Sequence, residues 1–362
     1  MFFLNRILIA VTLFLLSCSS VYCQQNKTLH GSIINENTTL DSIYLTPDIF
    51  IPPKYYEAFG KSAKISENSF VFKNEFTYPQ MYYTYLTEDI DVLSSRLGFF
   101  FIDNTSSKLV FNYQMGEKGY VLGKTGDEYR NEFQPFLKSY FKDNDSEDFY
   151  YRISMDGSEK IDSVYRDYLK ANPESYVALW HIAQRFFTFG HTALREECLD
   201  HFSINFKKSR MWNLLYNDIH QALIKEGLPF PLLELKDQNN ESQKLVIPEN
   251  KIVLVDFWFS NCKPCLAAFP KLISLYNRYK DRGFEIIGIS TDQTKRIDNW
   301  KKVIQEQNLP WKQFLDENGT ITLSSMYIRT FPTAILIDKN GNIINKKISL
   351  SDLEDYLIKE LN

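Results

Sequence analysis

Cys262 and Cys265 stand three positions apart, separated only by Lys263 and Pro264. A dithiol at this spacing can close into a disulfide and reopen by exchange, provided that a helix begins at it. The free N–H groups of a helix N-terminus favour thiolate over thiol. Lowering a thiol pKa from about 8.5 to about 7 raises the thiolate share at neutral pH from a few per cent to about half. A carboxylate lies six residues upstream: Asp256 closes a run of buried-strand composition, where loss of solvent raises a carboxyl pKa towards the range useful for proton transfer. It is placed to serve the second cysteine as a base; otherwise it is a hydrogen-bonded buried carboxylate.

The elements around the pair are those this chemistry needs. Lys251 to Trp258 is almost continuously apolar and β-branched, the composition of a strand covered on both faces. Leu266 to Arg282 carries apolar residues at helical spacing, with Pro270 as an expected kink. Phe284 to Ser290 reads as a second buried strand, and Ile297 to Gln307 as a helix ahead of Leu309-Pro310, which gives β-α-β-α. Farther on, Pro332 immediately precedes the strand Ala334 to Asp338 and suits a cis bond, while Asn340-Gly341 predicts a type I′ hairpin. Ser351 to Leu361 has its apolar residues on one face and closes the domain as a helix.

From about Leu228 onward these residues resemble the thioredoxin-fold domain of TlpA/ResA-type thiol:disulfide oxidoreductases of the bacterial envelope. The resemblance rests on Asp256-Phe257-Trp258, Cys262-x-Pro264-Cys265, Pro270, Phe331-Pro332-Thr333 and Leu336 to Gly341, which fall in the family's order and spacing. Gly288 to Asp292, through Leu309-Pro310-Trp311, resembles the helical insertion of this group. It implies an α/β fold with a mixed central sheet flanked by helices. It also implies that Cys262 attacks as thiolate, that Cys265 resolves the mixed disulfide with Asp256 assisting, and that Pro332 shapes the substrate groove beside Phe331. Lys263, Pro264 and Trp258 would support the site. The chain departs from the family where Asn261 replaces a tryptophan and Lys263 a glycine, the latter placing a cation beside Cys262.

Upstream, Met1 to Leu16 is apolar with Arg6 as its only charge, the length of a signal h-region and short for a membrane span. Leu15-Leu16-Ser17-Cys18 resembles a bacterial lipobox, which would make Cys18 the lipidated first residue; Val21-Tyr22-Cys23 is an alternative cleavage site. An uncleaved anchor is the third reading, and each of the three places the dithiol outside the cytoplasm. Of five cysteines only Cys198, Cys262 and Cys265 then remain in the folded body, so no structural disulfide framework is expected.

The expected divisions are 1–23 as leader, 24–125 as a β-rich domain, 126–226 as a helical region and 227–362 as the thioredoxin-like domain. Short alternating runs such as Ser69 to Phe72 and Gly98 to Ile102 carry the β reading. Helices are expected over Tyr129–Tyr140, Ile161–Ala171, Ser175–Phe187, Leu194–Phe206 and Met211–Ile224, with a break at Asn172-Pro173. The order of β domain, helices and redox domain again resembles exported TlpA-like proteins.

Other chemistries find little support in the residues. C-x-x-C can be half of a zinc site, but no second cysteine pair follows. Cys198 and His201 share a helical turn, and a lone helical cysteine is ordinarily a small buried hydrophobe, so no metal is expected there. A net charge of −4 with interspersed signs leaves no basic stripe for nucleic acid, and no glycine-rich phosphate loop or other cofactor motif is present.

The expectation is therefore a periplasm-facing, lipid-tethered enzyme that reduces protein disulfides in the envelope and is recharged by an upstream membrane electron donor, with no cofactor. One rival is a peroxidase on the same fold, which calls for a threonine where Phe259 stands. The other is a lipoprotein adaptor whose dithiol is vestigial.

Overall fold

The computed structural model describes residues 28–34, 42–58, 61–86, 96–112, 119–142 and 149–361. The expected leader, with Cys18 and Cys23, lies outside these residues. The chain divides into two compact units, one of Met1–Asp48 with Pro52–Asn144 and one of Ile49–Ile51 with Asp145–Asn362.

In the first unit, β1 (Thr28–Ile34), β2 (Ser42–Thr46), β3 (Lys61–Lys64), β4 (Ser69–Lys73), β5 (Gln80–Leu86), β6 (Arg96–Ile102), β7 (Lys108–Asn112) and β8 (Tyr120–Leu122) form two four-stranded sheets, ordered β4-β1-β7-β8 and β3-β2-β5-β6. Strand alternation does what the sequence demands: Phe70 and Phe72 of β4 are buried while Val71 between them is exposed. The helix expected at Tyr129–Tyr140 is the continuation of α1 (Lys124–Glu128) through a π-helical turn (Tyr129–Phe133) into α2 (Gln134–Phe141). It belongs to this unit, because Tyr129 packs its ring on Phe99 and Phe101 of β6, with centroids 5.3 and 5.1 Å apart.

The second unit begins with α3 (Phe149–Met155), α4 (Glu159–Ala171), α5 (Tyr176–Phe189), α6 (Ala193–Cys198) and α7 (Arg210–His220). Ser175 caps α5 by accepting the Ala178 N–H at 2.9 Å. The continuous helix expected over Leu194–Phe206 is not there: α6 ends at Cys198, a 3-10 turn covers Leu199–His201, and a new one starts at Phe206. Ser203 is the cause, since its N–H donates to Pro173 O at 2.9 Å and its hydroxyl accepts from Phe206 N at 3.1 Å. The helix expected over Met211–Ile224 likewise stops at His220. Among these helices Asp162 is fully buried between Arg185 and Arg195, 2.6 and 2.7 Å away.

The same unit continues with β9 (Leu233–Lys236), β10 (Ser242–Leu245), β11 (Ile252–Trp258), α8 (Lys263–Tyr279), β12 (Phe284–Ser290), α9 (Ile297–Glu306), β13 (Lys312–Leu315), α10 (Thr320–Ser324), β14 (Thr333–Ile337), β15 (Ile343–Asn345) and α11 (Leu350–Leu361). They form a mixed seven-stranded sheet in the order β10-β9-β13-β12-β11-β14-β15. The centre is parallel (β11, β12, β13), and β14 runs antiparallel to β11. All seven residues of β11 are buried, as a strand covered on both faces must be. Ile252, Leu254 and Trp258 face a core shared with α8, α9 and α11. Val253, Val255 and Phe257 face a second core that includes Ile224 from the end of the helical segment.

The hairpin at Asn340-Gly341 forms, but its turn is not the expected type I′. The turn is closed by the Gly341 N–H on Asp338 O at 3.0 Å, so its central residues are Lys339 and Asn340, neither with a positive φ, and Gly341 follows at 86°. Asp338 is the reason, because its Oδ1 accepts both Asn340 N at 2.8 Å and Asn342 N at 2.9 Å and holds Asn340 right-handed.

Candidate functional site: the Cys262–Cys265 pair

β11 delivers the chain to the surface end of the sheet, and α8 carries it back across one face. Cys262 is the N-cap of α8, with Lys263 and Pro264 in its first turn. Proline there surrenders only an N–H that would lack a helical acceptor. Cys262 and Cys265 are joined in a disulfide with their Cα atoms 5.2 Å apart. The Cys265 N–H points at Cys262 Sγ, 3.2 Å away. In the reduced pair the same donor and the helix dipole favour charge on Cys262 over Cys265. Both cysteines are buried, Cys262 at 3% and Cys265 at 1% exposure. Access comes from their surroundings: Lys263, Pro264 and Pro332 are exposed.

Asp256 lies in the strand that leads to the pair. It alternates with Leu254 and Trp258 on the sheet face that α8 covers. Its cross-strand partners are Ala334 and Gly288, two small residues that leave room for a carboxyl group. Asp256 is 4% exposed, and burial alone pushes its carboxyl up to about 7. A buried carboxyl with that affinity for a proton can take one from a neighbouring thiol and return it near neutral pH. Trp258, two residues on, is fully buried, packs edge-on against Phe269 of α8 at 5.2 Å and donates its indole N–H to Gln313 Oε1 at 3.1 Å.

The loop before β14 supplies the opposite wall. The Phe331–Pro332 peptide bond is cis. Phe331 is half-buried and meets Phe259 edge to face at 5.4 Å, so the two rings stand together at the rim of the dithiol. Thr333 Oγ1 donates to Thr330 O at 2.7 Å and ties the loop to itself.

Sequence reasoning missed the clamp on the other side. Asp292 is buried, and its carboxylate accepts Ser260 N at 2.8 Å, Ser260 Oγ at 2.7 Å and Ser290 Oγ at 2.8 Å. It fixes the turn through which β11 enters Cys262. No local signal marks it, since only the parallel pairing of Trp258 with Ser290 sets Ser260 and Asp292 at the same height. Cys198 takes no part: it is buried, without a disulfide partner, and burial pushes its thiol up to about 12. Among the described residues no group of three or more acidic, histidine or cysteine side chains is placed to hold a metal.

A dithiol at the start of a helix, set over a mixed sheet and faced by a cis-proline loop, defines a thioredoxin-like redox domain. Residues 250–343 match the family model described as thioredoxin-like. The chain is similar to a thiol-disulfide oxidoreductase ResA of Bacillus cereus, with 32% identity over 138 residues that make up 37% of this chain and 76% of that protein. A ResA from Oceanobacillus iheyensis is 32% identical over 133 residues, 35% of this chain and 67% of the relative. Among solved structures, the thioredoxin domain of a thiol-disulfide oxidoreductase from Bacteroides vulgatus is 37% identical, covering 38% of this chain and 99% of its own, with a TM-score of 0.35. The chain belongs to the ResA-type thiol-disulfide oxidoreductases.

Proposed function

We propose that this oxidoreductase reduces disulfides of envelope proteins with Cys262 as nucleophile and Cys265 as resolving thiol. Cys262 thiolate attacks one sulfur of a substrate disulfide, forming a mixed disulfide and expelling the other sulfur as thiolate. Cys265 gives its proton to Asp256 and attacks Cys262 Sγ; the second substrate thiolate leaves, and the two substrate thiolates take up two protons. Two electrons pass from the protein dithiol to the substrate, and a membrane-side donor of electrons restores the dithiol. The observation that carries this reading is the Cys262–Cys265 pair at the head of α8 with Asp256 buried on the same face of the sheet.

Phe331, Phe259 and the exposed Pro332 form the surface on which a substrate segment would lie, and Lys263 and Pro264 border it. Export and tethering through Cys18 belong to the same proposal; their support is the leader sequence, and no helix among the described residues is long and apolar enough to cross a membrane.

The test is the redox equilibrium of the pair in a dithiothreitol or glutathione series, read by thiol trapping and mass. A potential near about −270 mV fits a reductant that needs a donor, and one near about −120 mV would reverse the direction of electron flow. Failure of Cys262 and Cys265 to interconvert between dithiol and disulfide would remove the proposal.

A further inference from the structure

On the dithiol face of the sheet, Nε2 of Gln313 is buried without a hydrogen-bond partner among the described residues, and the nearby Asp256 is 4% exposed, with burial raising its carboxyl. Leaving a buried donor unpaired costs about 1–3 kcal/mol, so one placed this near a carboxyl calls for an explanation. Their spacing follows from the register: Asp256 pairs with Gly288, and Gly288 with Gln313, across three parallel strands. The three residues therefore share one face, and only a glycine stands between the carboxyl and the amide.

Gln313 uses that gap. A Cβ at Gly288 would stand 2.1 Å from Gln313 Oε1 and 2.8 Å from Nε2, so the amide lies directly over the glycine and leans from β13 towards β11. Adjacent strands are about 4.8 Å apart, so an amide that lies over β12 is about one strand spacing from the Asp256 position on β11. Orientation is settled as well. The Trp258 indole N–H can only donate, and its 3.1 Å bond makes the facing atom of Gln313 the oxygen. The amide's two hydrogens are left over.

We propose that Gln313 is a positioning residue for proton transfer: its Nε2 donates to the Asp256 carboxylate whenever that group is ionised and lets go when Asp256 takes the proton of Cys265. The inference rests on the reading of Asp256 as the base. Among the described residues, no charged group shifts the Asp256 carboxyl. The elements over this face carry Cys262, Cys265, Tyr276 and Tyr279 on α8, and Glu354 and Tyr356 on α11, with Glu354 engaged by Lys271 and Arg278. On the flanking strand β12, Glu285 is paired with Lys251 at 2.9 Å, and Asp298, Lys302 and Glu306 of α9 are exposed. None of these charges offsets the burial that raises the Asp256 carboxyl.

The experiment compares wild type with Gln313→Glu and Gln313→Leu in the full chain. Glu keeps an acceptor for Trp258 and loses the donor; Leu loses both. The Asp256 carboxyl is titrated by carbon NMR on the oxidised protein, and the resolving step is timed from the pH dependence of mixed-disulfide decay. Both variants are expected to raise the Asp256 midpoint by about one pH unit or more, since a hydrogen bond to a charged acceptor is worth that much. The resolving rate at neutral pH should fall about tenfold, with the pH profile displaced in the same direction. A role confined to packing would leave the midpoint where it is. An unchanged midpoint in both folded variants overturns the assignment of Gln313. A wild-type resolving rate equal to that of Asp256→Asn overturns the base reading instead, and the two failures are read from different signals.

Discussion

Replacing Asp256 by asparagine should change how stability depends on pH, by an amount the structure fixes. Burial raises the folded carboxyl from 3.8 to about 7, and no ion pair or hydrogen bond among the described residues offsets it. Above the unfolded value the unfolded chain has lost this proton while the folded protein still holds it. The contribution of Asp256 to stability is therefore greatest below pH ~4, falls as pH rises, and levels off above the folded midpoint. At about 1.36 kcal/mol per pH unit over about three units, burial alone gives a loss of roughly 4 kcal/mol, which a Gln313 hydrogen bond to the ionised carboxylate would reduce. The introduced amide does not titrate, so the stability of the variant relative to wild type should improve by that amount between pH ~4 and pH ~8. The assay is urea unfolding of the oxidised protein, in which Cys262 and Cys265 do not titrate, at several pH values across this window. Curves for the two proteins that stay parallel within about 1 kcal/mol would refute the burial argument and, with it, the claim that Asp256 is poised for proton exchange.

Three other outcomes follow from contacts already described. Cys265→Ala should accumulate a mixed disulfide between Cys262 and a substrate thiol, seen as a mass adduct, whereas Cys262→Ala should give none. Asp292→Ala strips three hydrogen bonds from the turn that carries the chain into Cys262 and should cost about 2–3 kcal/mol in denaturant unfolding. The same variant should slow alkylation of reduced Cys262 at mildly acidic pH, and an unaltered rate would show that the turn holds its shape without the carboxylate. Asp162→Ala leaves two buried guanidinium groups without their anion and should destabilise the second unit by about 3–5 kcal/mol; a loss below about 1 kcal/mol would mean that Arg185 and Arg195 find other partners.

The site's first layer was legible because its signals are local. Cys262, Pro264 and Cys265 announce a reactive helix start, and Ile252 to Trp258 announces the buried strand that must precede it. Asp256 stood out as a charge in an apolar run, and its face follows from alternation with Leu254 and Trp258. Gln313 and Asp292 were not legible for the opposite reason: each acts across strands, 57 and 36 positions from Asp256, and only the register of β11, β12 and β13 brings them in. Register also explains Gly288, whose missing side chain makes room for the Gln313 amide that lies over it. The helical segment was read too coarsely where polar side chains end helices. Ser203 accepts a backbone N–H and starts a new turn, and no hydrophobic period records that.

The helices before the redox domain have a physical connection to its cis-proline loop. Tyr327, four residues before Phe331, holds a left-handed backbone at φ 55°, a conformation that costs a bulky residue about 1–3 kcal/mol unless its surroundings impose it. Those surroundings come from the helical segment. Phe186 and Phe187 of α5 meet the Tyr327 ring edge-on at 4.9 and 5.1 Å, and Asp218 of α7 shares a hydrogen bond with its hydroxyl. Ile224 fills the core behind Met326 and Ile328. The stretch leading into Phe331 and Pro332 is thus held by side chains more than a hundred positions upstream, and a redox domain cut from them would lose the contacts that impose this backbone. The helices that precede the dithiol domain are in this sense part of the wall that faces its disulfide.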